Sequence, residues 1–153
     1  MDYICKNFAE MIQIDVNRVE GDYGFEATDA KGHKVRIDTS EENGGTNFGV
    51  RPMQLLLMGI GGCSGIDIVT ILKKQRQPVE GFSMKISGDR EKDAVPALWE
   101  TINIVFELTG NIDPEKARKA CELSVDKYCS VAKTLRLAGA VVTWTVTVNN
   151  QPA

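Results

Sequence analysis

The chain has little of what most catalytic and binding chemistries require. It carries one histidine, His33, set in the turn-like stretch KGHK, and it has no Cys-x-x-Cys pair. Zinc sites draw on clustered histidine, cysteine and acidic ligands, so no metal is expected. His33 reads as a solvated turn residue. It is no better placed for a cysteine–histidine nucleophilic pair, and no glycine-framed serine nucleophile appears. No Gly-Lys-Ser/Thr follows a strand to cradle a phosphate. Basic residues form no stripe, and the net charge of −3 argues against nucleic acid as a partner. The densest basic cluster, KKQRQ at 73–77, falls where a helix should end and suits the negative end of its dipole. The first residues, MDYICKNFAEMIQ, lack an apolar core and do not read as a secretory signal.

What is present fits one domain spanning 1–153. That length supports a real core but not two comfortable ones. The four cysteines, Cys5, Cys63, Cys121 and Cys129, are expected to be thiols, not a disulfide framework, and a cytoplasmic setting is expected with them. Leu55 to Leu72 is long and apolar enough to raise a membrane span. Asp67, Ser64 and the glycines oppose lipid exposure, so it is expected to be a helix buried within protein, with no membrane partner.

The patterning predicts an α+β chain. Residues 10–38 alternate and turn as a small β-meander. TSEENGGTNFGVR at 39–51 predicts a long flexible loop. Pro52 suits the first turn of a helix running to about Gln75, and Pro78 stops it. Two strands are expected at about 79–87 and 98–109. A helical segment follows, capped by Asp113 and Pro114, with a break near 124–127 and an end at Gly139. The last strand should put Val142, Trp144, Val146 and Val148 on one face.

The stretch MGIGGCSGIDIVTILKK (58–74) raises the chemical question. Glycines within a helix cost about 1 kcal/mol each against alanine, so close packing against another backbone is the expected compensation. Free cysteine usually just packs, and that reading suits Cys5 and Cys121. Cys63 differs, because it follows helix-disrupting glycines. Cys129 lies in DKYCSVAKT, where Lys127 and Lys133 are expected to lower its pKa. Asp67, one turn beyond Cys63, is expected either to repel a thiolate there or to make a helix-packing hydrogen bond. Acid–base chemistry by paired carboxylates stays open, since acids are plentiful and unpaired by sequence alone.

Two segments together, RPMQLLLMGIGGCSGIDIVTILKK (51–74) and DKYCSVAKTL (126–135), resemble the OsmC/Ohr family of osmotically induced and organic-hydroperoxide-resistance proteins. That family's first motif is proline, any residue, glutamate, an apolar run and small residues before a cysteine. Its second is a cysteine before a small or hydroxyl-rich helix start. The element order agrees over nearly the whole chain. The resemblance implies the α+β OsmC-like fold: meander, long central helix, β-hairpin, second helical segment and final strand. It also implies an intertwined homodimer whose central helices pack together, with Gly59, Gly61 and Gly62 allowing close approach. The implied activity is reduction of organic hydroperoxides without metal or organic cofactor. Cys63 matches the peroxidatic cysteine and Cys129 the resolving one, with a dithiol reductant restoring both.

One position departs from the family. Active members hold an arginine with the motif glutamate, and here that position is Gln54, which cannot form the ion pair. Arg18, Arg36 and Arg51 are candidates for the arginine. On one unbroken helix Gln54 and Cys63, nine residues apart, lie on opposite faces. They share a site only if the helix starts later, breaks at the glycines, or the partner subunit supplies one of them. The alternative reading is therefore a non-catalytic or weakly active dimer used for small-molecule binding or redox sensing.

Overall fold

The computed structural model describes residues 11–153, so Cys5 and the start of the N-terminal segment lie outside the described residues. The chain divides after Leu55 into two compact units.

The first unit holds the meander. Strands β1 (Ile14–Glu20), β2 (Gly24–Asp29) and β3 (Lys34–Ile37) pair antiparallel in that order. Their register sets two rows on one face, Val16–Ala27–Val35 and Arg18–Phe25–Ile37. Val16 and Val35 stay exposed there. His33 is solvated as expected, its Nδ1 2.8 Å from Asp29 Oδ2, a contact that holds the Asp29 carboxyl below its ordinary range.

The 39–51 loop is not the free loop the composition predicts. Asp38, buried at its start, accepts from the backbone N–H groups of Thr39 (2.7 Å), Thr46 (2.9 Å) and Phe48 (3.0 Å). A 3-10 turn, Glu41–Asn43, lies within this ring, and Gly44 closes it at φ 88°, a conformation glycine tolerates best. A buried carboxylate thus organises the polar, glycine-rich segment.

Helix α1 (Pro52–Lys74) carries the chain into the second unit without a break at its glycines. That unit's sheet has the order β4 (Gly81–Arg90), β5 (Trp99–Thr109), β6 (Val141–Val148) and β7 (Gln151–Pro152). Strands β4 and β5 form the expected hairpin, and β5 and β6 are parallel. A parallel pair needs a crossover. Here it is α2 (Pro114–Leu123), a π turn (Ser124–Tyr128) and α3 (Ser130–Leu137). Asp113 caps α2 by accepting from Glu115 N and Lys116 N. Gly139, at φ 104°, ends the helical run.

Alternation along β5 buries Ile102, Ile104, Phe106 and Leu108, and β6 adds Val142, Val146 and Val148. Helix α1 contributes Ile60, Ile68 and Leu72 to this core. Its glycines have different roles. A Cβ on Gly61 would come within 2.7 Å of Ile86 Cδ1, and one on Gly65 within 3.0 Å of Met84 Cε, so both let the helix settle on β4. A Cβ on Gly62 would meet nothing within 4 Å. The helix is buried along one face only. Met58, Ile66 and Val69 remain exposed on the other, Ile66 to 71%.

Candidate functional site

The Cys63 and Cys129 thiols are neighbours in the second unit. Cys63 is half-buried on α1 and packs against the core that contains Cys129. Cys129 is only 2% exposed. It ends the π turn and caps α3, its Sγ accepting from Ala132 N at 3.4 Å. Sulfur is a weak acceptor, so this cap is poorer than a serine or aspartate would make. A π turn carries one residue more per hydrogen-bonded loop than an α-helix, and it is this turn that brings the chain from α2 to Cys129.

Three contacts fix that segment. Ser124 Oγ lies 3.2 Å from Ser64 O and 3.4 Å from Asp67 Oδ2, sharing its one proton between them. The Ser124 carbonyl accepts from Cys129 N at 2.8 Å. Asp67 thus makes the helix-packing hydrogen bond, the second of the two roles its spacing allows. Arg136, which the sequence reading did not single out, donates from Nη1 to Val125 O (2.8 Å). Its Nη2 donates to Asp126 Oδ1 (2.7 Å) and Val142 O (3.2 Å). One arginine so ties the π turn to α3 and β6. No signal marks it in sequence, because two of its three partners are backbone carbonyls.

The electrostatics of Cys129 reverse the expectation. Burial pushes its thiol above the ordinary value, and the adjacent Cys63 thiol pushes the same way. The Ala132 N–H and the Ser64 hydroxyl oppose the shift by favouring the thiolate. The lysines do not lower it. Lys127 Nζ lies over the Tyr128 ring, 5.4 Å from its centroid, and Lys133 points to solvent. Cys121, fully buried, is pushed up to about 12 by desolvation and is packing, as expected.

The four supporting candidates fall in the first unit. Gln54 Oε1 accepts from Arg51 N at 3.0 Å, which makes it half of a capping box at the start of α1. Since α1 starts at Pro52 and stays unbroken, Gln54 and Cys63 of one chain face opposite ways. The Arg36 guanidinium lies over the Phe48 ring at 5.0 Å. Arg18 is exposed and stands across from Phe25 in the meander.

Asp67, Thr70, Ile71, Lys74, Gln75, Leu123 and Tyr128 line an open cavity of about 510 Å³, whose lining includes neither Cys63 nor Cys129. Among the described residues no three of the His, Cys, Asp and Glu side chains converge as a metal-binding group.

Against known families, residues 41–145 match the model described as OsmC-like protein. Protein YhfA of Escherichia coli (strain K12) is 38% identical over 128 residues, covering 83% of this chain and 91% of that protein. The chain belongs to the OsmC-like family. A solved structure of a hypothetical protein from Aquifex aeolicus VF5 superposes with a TM-score of 0.75 at 27% identity, covering 92% of this chain and 99% of that one. An organic hydroperoxide resistance protein OsmC from Legionella pneumophila gives 0.70 at 17% identity, covering 92% and 98%. At that identity the second likeness shows the OsmC-like fold alone.

Proposed function

We propose that the protein is a cysteine-based reductase of organic hydroperoxides, acting as a homodimer. The observation that carries this reading is the half-buried Cys63 thiol beside the buried Cys129 thiol. As thiolate, Cys63 attacks the O–O bond, becomes a sulfenic acid and releases an alkoxide that leaves as the alcohol. Cys129 then attacks the Cys63 sulfur, forming the disulfide and expelling the oxygen as water. A dithiol reductant restores both thiols. The whole chain operates as one OsmC-like domain in the cytoplasm, and Arg18, Arg36 and Arg51 are the candidates for an activating cation.

One observation favours a second reading, a ligand-binding or redox-sensing dimer with feeble peroxidase activity. Gln54 is already engaged with the Arg51 N–H and brings no charge.

Peptide mass spectrometry of the reduced protein after brief exposure to an organic hydroperoxide separates the two. A Cys63–Cys129 disulfide at low peroxide, absent in Cys63→Ser, is the expected result. Cys129→Ser should complete one turnover and stall. Persistent free thiols at both positions would leave the ligand-binding reading.

A further inference from the structure

Two serine hydroxyls are fully buried beside the thiol pair, and they differ in one respect. Ser124 Oγ donates to Ser64 O and Asp67 Oδ2, whereas Ser64 Oγ has no hydrogen-bond partner among the described residues. A buried hydroxyl without a partner is destabilising, so its presence at 0% exposure needs a reason outside the resting state. Its position is also fixed. Ser64 O is held by Ser124 Oγ, and the Ser124 carbonyl holds Cys129 N, so Ser64, Ser124 and Cys129 form one hydrogen-bonded frame. The backbone donor to Cys129 Sγ is Ala132 N, at 3.4 Å.

We propose that Ser64 is the donor for the Cys129 thiolate, turning its proton to Sγ when that buried sulfur ionises to attack Cys63. The inference rests on the Cys63–Cys129 pairing of the proposed function, not on the peroxide. Favouring of the Cys129 thiolate by the Ser64 hydroxyl has the direction this role needs. The charged and titratable groups around Cys129 offer no substitute. Helix α1 presents Cys63, which opposes ionisation, and Asp67, engaged by Ser124. Asp126 and Arg136 pair with each other at 2.7 Å, Lys127 lies over Tyr128, Lys133 is solvated, and Cys121 on α2 is a buried thiol. In resolution the Cys129 sulfur forms the S–S bond and the Cys63 S–O bond breaks. The departing hydroxide takes up the proton that Cys129 released, leaving as water. Ser64 keeps its own proton throughout, so it is a positioning residue for the nucleophile.

The test uses a leaving group other than peroxide. In protein carrying Cys5→Ser, Cys63 is converted to a mixed disulfide with dithionitrobenzoate. Attack by the Cys129 thiolate then forms the protein disulfide and releases the coloured aromatic thiolate, so the rate of the second release reports closure. Ser64→Ala should slow closure about tenfold or more at neutral pH, the effect of losing a hydrogen bond to a charged group. It should also move the pH midpoint of closure upward by about one unit. Its unfolding midpoint should be no lower than the parent's, because an unpartnered polar atom has been removed. If Ser64→Ala fails to fold, Ser64→Gly carries the same comparison. Closure with the parent's rate and pH profile would overturn the role of Ser64. Closure by the charged parent, with indifference to organic hydroperoxide, would sink the peroxidase reading and leave Ser64's role standing. A parent that never closes overturns both.

Discussion

A carboxylate buried to 2% exposure needs donors, and Asp38 has three backbone N–H groups and the Thr46 hydroxyl around it. These contacts, Phe48 N foremost, hold its folded pKa below the ordinary 3.8. A depressed carboxylate pKa stabilises the fold fully above the unfolded value, and that contribution fades as pH falls through the folded value. Asp38→Asn puts a donor where the loop offers only donors. Its urea midpoint should therefore lie below the parent's at neutral pH, with the gap closing once pH drops beneath 3.8. A gap unchanged into acid would mean that the charge of Asp38 plays no part. The same scale shows what sequence could and could not tell. Cys63 and Cys129 each sit in a local motif that sequence can single out, and the structure sets their thiols side by side. Gln54 was read only as a missing charge, yet it caps its own helix. Lys127 was read as the thiol's neighbour, but an aromatic ring one residue away holds it instead.

Elements were legible where residue type and backbone geometry coincide. Pro52 and Pro114 start helices, Gly139 ends one, and period-two alternation marks β5 and β6. The π turn was foreseen only as a break near 124–127. One extra residue in a loop selects no residue type, and the contacts enforcing it come from Arg136 and Ser124. Glycines in α1 predict close packing against another backbone, but what an added Cβ would meet at Gly61 and Gly65 is side chain. At Gly61 that side chain belongs to β4, and this can be tested. Gly61→Ala gains up to about 1 kcal/mol in helix propensity but must push aside Ile86 Cδ1 at 2.7 Å, so it should be close to neutral. Gly61→Val adds branched bulk against the same strand and loses that propensity gain. Overpacking of this kind destabilises by about 1–3 kcal/mol, which urea denaturation would read. A valine variant as stable as the parent would show that β4 yields easily there.

At the scale of the whole molecule, one chain leaves an apolar surface of α1 open to solvent. Sequence periodicity could not single it out, since α1 is apolar nearly all round and only the fold distinguishes Ile60 and Ile68 inside from Met58, Ile66 and Val69 outside. The dimer came from resemblance alone. The structure adds a stripe at helical spacing, Met58, Gly62, Ile66 and Val69, in which Gly62 leaves open space. A second copy of α1 laid on this stripe would bury it, and Gly62 would admit the approach. Ile66 is the residue to change, being the most exposed of the stripe at 71% and absent from the protomer's core. Ile66→Lys should leave the protomer folded but place an unpaired ammonium where an apolar contact stood. Burial of an isoleucine is worth about 1.5–3 kcal/mol, so association should weaken by at least about tenfold from lost contact alone, before any cost of the charge. Sedimentation equilibrium of parent and variant reads this directly. A dimeric parent with a dissociating variant would place the interface on α1. A parent that stays monomeric at every concentration would remove the dimer from the proposed function, and a variant as dimeric as the parent would move the interface to another face.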